Sequence, residues 1–72
     1  MFLVIIAGNH DQAATYAAEY GIARPDWTYP AGPERLYGRR GGTYTHVGTW
    51  YYLDWTEVID YLKSHDFARV PA

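Results

Sequence analysis

The segment Phe2-Leu3-Val4-Ile5-Ile6-Ala7 constrains this chain more than any other. It is an unbroken apolar run, rich in β-branched residues, and it stops at Gly8. A strand with one wet face would alternate polar and apolar. A strand without alternation is covered on both faces, as at the centre of a parallel sheet. The chain has 72 residues, enough for one domain, spanning 1–72 with 70–72 as a tail. A domain this small buries only roughly 60% of the surface its unfolded chain exposes, so its core is thin. Cysteine is absent, which removes disulfides and thiolate metal sites as supports. Eight Tyr, three Trp and two Phe crowd onto this small frame. Either their rings are half-buried, or some form an exposed aromatic patch that meets a partner.

After Gly8, Asn9 is placed to cap a helix, and Gln12 completes the capping-box spacing; His10 or Asp11 are alternative caps. The helix is expected to run to about Tyr20 and to stop at Gly21. Ala13, Ala14, Ala17 and Ala18 form a small-residue face that lets the helix lie close to a sheet, and Tyr16 and Tyr20 stack four apart on another side. Asp26-Trp27-Thr28-Tyr29-Pro30 reads as a short second strand, with Pro30 ending it or marking an edge. Pro33 suits the start of a short helix through about Gly38, with Leu36 and Tyr37 facing in. Thr43 to Trp50 is β-rich and makes a third strand, and Tyr51-Tyr52-Leu53 extends it or leads into a turn. Asp54 caps a last helix, with Glu57 at the capping-box position and Leu53 and Val58 placed as a hydrophobic staple. Trp55, Val58, Ile59 and Leu62 form one apolar stripe to about His65. Phe67 to Val70 either adds a short strand or simply packs.

Alternating strands and helices imply parallel strands joined by right-handed crossovers. The expectation is an α/β fold, a miniature Rossmann-like βαβαβα arrangement with a three-stranded, mostly parallel sheet and the first strand central. An antiparallel third strand is the alternative. With the order second–first–third, a ligand would sit at the carboxyl end of the first strand, against Gly8, Asn9, His10, Thr49 and Trp50. The turn Ala7-Gly8-Asn9-His10 leads into a helix N-terminus, which suits an anion. The dinucleotide glycine fingerprint and the Walker phosphate loop are both absent.

The chemistry-bearing residues are sparse. His10, His46 and His65 show no metal-ligand spacing, and His46 reads as a half-buried strand histidine with one hydrogen-bonded nitrogen. Ser64, the single serine, adjoins His65, but adjacency in sequence is not a triad. No catalytic residue, metal or cofactor is assigned, and enzymatic activity is left open, leaning against. Gln12, Tyr16, Glu19 and Tyr20 share a helix surface and are candidate protein-interface residues, because tyrosine covers much area at little entropy cost. Arg35, Arg39 and Arg40, beside Gly41-Gly42 and Tyr44, form a small basic-aromatic patch of the kind that contacts single-stranded nucleic acid. The net charge of −2 argues against a dedicated nucleic-acid binder. No stretch is long and apolar enough to span a membrane, and Met1 to Ala7 lacks the basic flank of a signal peptide, so a cytoplasmic location is expected.

The strand leading to Ala7-Gly8-Asn9, the alanine-rich helix ending at Tyr20-Gly21, Pro33-Glu34-Arg35-Leu36-Tyr37-Gly38 and Val47-Gly48-Thr49-Trp50 together resemble small uncharacterised proteins of actinobacteriophages. That resemblance implies the cytoplasm of a bacterial host and a small protein that binds and modulates a host or phage component. The leading expectation is a non-enzymatic protein-binding module, partnered by another protein or by itself as a homodimer. The alternative is a small nucleotide- or phosphate-binding protein that uses the turn after the first strand.

Overall fold

The computed structural model describes residues 2–71; Met1 and Ala72 lie outside the described residues. Four parallel strands form one sheet in the order β2-β1-β3-β4: β1 (Leu3–Ile6), β2 (Trp27–Thr28), β3 (Gly42–His46) and β4 (Phe67–Arg69). Helix α1 (His10–Glu19) follows β1, and helix α2 (Thr56–Ser64) connects β3 to β4. Two 3₁₀ turns, Pro33–Leu36 and Trp50–Tyr52, lie in the remaining connections. The parallel pairing of β1 with β3 excludes the antiparallel alternative.

β1 is central and covered on both faces. Ile5 and Ala7 pack with Ala13, Ala17 and Trp27 under α1. Val4 and Ile6 pack with Leu36, Trp55, Val58, Leu62 and Phe67 under α2. The absence of alternation in the sequence thus has its physical counterpart: each successive side chain meets a different apolar layer. Helix α1 starts where its cap dictates. Asn9 Oδ1 accepts the Gln12 N–H at 2.9 Å. It ends in a Schellman closure, with Ile22 N donating to the Ala17 carbonyl at 2.8 Å and Gly21 N to the Ala18 carbonyl at 3.2 Å. Gly21 has φ +65°, which a side chain would resist.

Several expectations need correction. The sheet has four strands rather than three, because Phe67–Arg69 pairs with β3 through Gly42↔Phe67 and Tyr44↔Arg69. The ladder continues into the expected tail, where Val70 N donates to the Tyr44 carbonyl at 2.8 Å. β3 ends at His46 rather than Trp50, since Gly48 turns the chain at φ +59° and residues 50–52 wind into a 3₁₀ turn. Tyr37 faces outward at 65% exposure, its ring tilted against Tyr61, while Leu36 alone of that pair enters the core. Ala18 is exposed, so the close-packed face of α1 is Ala13, Ala17 and part of Ala14. Leu53 is 46% exposed rather than buried as a staple. Among the described residues no helix is long and apolar enough to cross a membrane.

The burial of Ala13 against β1 makes a test. Ala13→Leu should destabilise the protein by about 1–3 kcal/mol, as overpacking does. Ala18→Leu, on the exposed side of the same helix, should be within about 0.5 kcal/mol of wild type. Urea unfolding of both variants measures the difference, and equal effects would mean that Ala13 does not face the core as described.

Candidate functional site

The carboxyl ends of β1 and β3 bring together Gly8 and Asn9 from the first loop with Val47, Gly48 and Thr49 from the second. The crevice between them is filled by a side chain of the protein itself. Gln12 Oε1 accepts the Gly8 N–H at 2.8 Å and the Thr49 N–H at 3.1 Å. Gln12 Nε2 donates to Thr49 Oγ1 at 2.9 Å. Two main-chain N–H groups thus converge on one oxygen, as they would on an anion, but the oxygen is an amide carbonyl. In a capping box Gln12 would reach back to the Asn9 N–H; here it reaches one residue further, to Gly8, and across to the β3 loop. The approach is so close that a Cβ on Gly8 would meet Thr49 Oγ1 and Gln12 Oε1, the latter at 2.8 Å. A Cβ on Gly48 would lie 2.5 Å from Gln12 Oε1.

The other residues singled out in the sequence fall in three places. His10 leaves the crevice: its Nε2 accepts from Arg24 Nη2 at 2.8 Å, and its ring sits by Trp27 and Tyr29. Tyr16 and Tyr20 stack at 4.6 Å, with Tyr20 exposed and Tyr16 partly packed against the core. Gln12 shares their helix, but its amide is turned into the crevice. A groove of about 430 Å³ runs alongside, bordered by Asp11, Gln12, Tyr16 and Glu19. In the basic loop, Arg39 lies 3.8 Å over the Phe2 ring and Arg40 pairs with Asp66 at 3.0 Å. Arg35 is exposed on the preceding 3₁₀ turn. Two of the three arginines are therefore engaged within the protein.

The surface that sequence reasoning missed is the segment 51–53; Trp50, expected as a ligand contact beside β1, heads it instead and packs against His46. Tyr51 is 61% exposed, Tyr52 76% and Leu53 46%, three large side chains in a row. The rings run in contact from His46 to Trp50 at 4.4 Å, to Tyr51 at 5.9 Å and to Tyr52 at 4.8 Å. The segment is fixed at its base by Trp55 Nε1, which donates to the Trp50 carbonyl at 3.0 Å. The available signal was the cluster Trp50-Tyr51-Tyr52 itself, which reads equally as a strand by propensity. No protein-family model, curated protein or solved structure matches this chain.

The electrostatics are local. Burial, and secondarily the nearby Arg69 guanidinium, lower the pKa of His46 below the usual imidazole value. Its Nδ1 is buried with no hydrogen-bond partner, contrary to the bonded nitrogen expected from sequence. Asp54 is held below the ordinary carboxylate range by hydrogen bonds from the Thr56 hydroxyl and then the Thr56 N–H. Burial raises Tyr29. Ser64 and His65 make no nucleophile–base pair. His65 Nδ1 lies 2.8 Å from the Tyr61 carbonyl, which only accepts, so that nitrogen carries the proton and cannot take one from Ser64 at 3.0 Å. Among the described residues no three His, Cys, Asp or Glu side chains converge on a metal position.

Two tests follow from this geometry. Gln12→Leu keeps the shape and strands the Gly8 and Thr49 donors, so it should cost about 1–3 kcal/mol in chemical unfolding; an unchanged midpoint would show that water replaces the amide freely. For His46, the folded pKa lies below the unfolded value of about 6.5. The neutral ring is favoured by folding, so its contribution is complete above the unfolded pKa and is lost as pH falls below it. The melting temperature of wild type should therefore drop more between pH 7.5 and 5 than that of His46→Gln. Parallel curves would refute the assignment.

Proposed function

We propose that this chain is a non-enzymatic protein-binding module whose contact surface is the aromatic strip Trp50–Leu53. One observation carries the reading: Tyr51, Tyr52 and Leu53 are adjacent and each is about half exposed or more. Singly exposed apolar side chains need no explanation, but a contiguous patch is what interfaces bury. Tyrosine and tryptophan are the residue types that dominate interface energetics, because they cover large areas with few torsions to freeze. The Tyr16–Tyr20 stack is a secondary surface, since Tyr16 is partly in the core and Gln12 is engaged elsewhere.

We read the fold as a miniature Rossmann-like one. In such a sheet the crevice beside β1 is where a nucleotide or phosphate would bind, and this remains the competing reading. The protein's own Gln12 oxygen already satisfies the Gly8 and Thr49 donors, so such a ligand would have to displace it. Weak nucleic-acid contact through Arg35, Arg39 and Arg40 is disfavoured by the engagement of Arg39 and Arg40. The resemblance to small actinobacteriophage proteins suggests the setting: a modulator of a host or phage protein in the bacterial cytoplasm.

The test is an affinity capture from nuclease-treated actinobacterial lysate, read by mass spectrometry. A protein retained by wild type should fall about tenfold or more with Tyr51→Ala/Tyr52→Ala bait, as loss of hot-spot tyrosines predicts. It should persist with Tyr16→Ala/Tyr20→Ala bait. Loss only with the second bait would move the interface to α1. Equal capture by all three would remove both surfaces.

A further inference from the structure

The strip borders a groove of about 370 Å³ between the Trp50–Tyr52 turn and the start of α2. Its walls are Trp50, Tyr51, Leu53, Trp55 and Ile59, and its polar rim is Asp54 and Asp60. A second cavity of about 380 Å³ lies across the Leu53–Trp55 segment, between Tyr29, Pro30 and Pro33 on one side and Asp54 and Glu57 on the other. Each volume falls within the range of about 300–1,000 Å³ typical of ligand pockets. No lysine or arginine occurs anywhere between Gly41 and Leu62. Among the described residues the only ion pair is Arg40–Asp66, in the loop region that precedes β3 and β4. Asp54, Glu57 and Asp60 are all exposed. The hydrogen bonds to Asp54 fall on Oδ1, from the Thr56 N–H and hydroxyl, and they keep the group ionised. The N-terminus of α2 contributes a partial positive charge of roughly one half, which three full carboxylate charges outweigh.

We propose that these two grooves together receive a basic, arginine-bearing segment of a partner protein. The inference rests on the protein-binding reading above and names the chemistry of the partner. Aromatic faces beside unpaired carboxylates suit a guanidinium in two ways. The plane stacks on Tyr51 or Trp50, and the N–H fork binds a carboxylate of Asp54 or Asp60. A purely apolar partner would offer the carboxylates at the rim no counter-charge. An acidic or nucleic-acid partner would meet like charge.

The experiment titrates ¹⁵N-labelled protein with a hexa-arginine peptide, acetylated and amidated, at low ionic strength. Amide shifts should centre on Tyr51, Leu53, Ile59 and Asp60. Asp60→Asn and Tyr51→Ala should each weaken binding about three- to fivefold, while Glu19→Gln, which removes the same charge from α1, should weaken it less. All three substituted side chains are exposed, and an otherwise unchanged spectrum establishes that each variant folds. No binding, shifts centred on Asp11 and Glu19, or equal effects of Asp60→Asn and Glu19→Gln would overturn the proposal. So would self-association of the chain through the strip, seen by sedimentation. Lysate capture that depends on Tyr51 and Tyr52 without any binding of the arginine peptide would overturn the basic partner and leave the binding module standing.

Discussion

The two-sided burial of β1 organises everything else in this protein. Val4, Ile5 and Ile6 have no accessible surface, and their side chains point alternately into two separate apolar layers. Filling both layers takes helices on opposite faces, and a chain of this length has only two to give. The two layers differ in the size of the side chains that fill them. Ala13 and Ala17 of α1 pack with Ile5, Ala7 and Trp27, whereas Trp55, Val58 and Leu62 pack with Val4, Ile6, Leu36, Tyr44 and Phe67. Dispersion and hydrophobic burial both reward this closeness of fit, and no disulfide supplements them.

A core so small cannot take in every ring. Trp27, Tyr44, Trp55 and Phe67 are buried, and Tyr29 packs against both layers. The remaining tyrosines lie on the surface in contact with one another or with their neighbours: Tyr16 with Tyr20, Tyr37 with Tyr61, Tyr51 with Tyr52. Tyr61 recovers part of its cost by donating from its hydroxyl to the Leu36 carbonyl at 2.9 Å. Tyr51 and Tyr52 are the most exposed adjacent pair and stand apart from this economy. Their exposure follows the tight turn before them: Trp50 still packs against the core, and residues 51–53 do not.

The local chemistry of the chain was legible in its sequence; the tertiary pull on it was not. The unbroken apolar run gave β1 its place, and the small-residue face placed α1, because both patterns express what the residue itself must bury. Asn9 as cap and Gly21 as stop were readable for the same reason: each satisfies backbone groups within a few residues. β4 was uncertain because three residues carry no periodicity, and only the edge of β3 makes them a strand. The end of β3 was misplaced because Thr49 and Trp50 have strong strand propensity, which a long-range interaction overrides. That interaction is the Gln12 amide, 37 positions away from Thr49, and nothing near Gln12 in the sequence distinguishes it from an ordinary capping-box residue. The exposure of Tyr51 and Tyr52 was hidden in turn, since it depends on the same turn.

The crevice and the strip are therefore one construction. Gln12 holds the N–H and hydroxyl of Thr49, which fixes the point where the chain leaves the sheet. Trp50 follows immediately, wedged edge-on against His46 at 4.4 Å, and its carbonyl is held by Trp55. Asp54 then closes the segment by bonding to Thr56. The 3₁₀ turn that displays Tyr51 and Tyr52 is thus held at its start, at Thr49 and Trp50, by hydrogen bonds from outside it. Fixing the start of this turn before any encounter removes part of the backbone ordering entropy that association would otherwise have to supply. The position where larger open α/β sheets present free donors to a ligand has here been turned inward. Its donors serve to hold a neighbouring loop, and the surface offered to the outside has moved one turn along the chain, from the polar crevice to the aromatic strip.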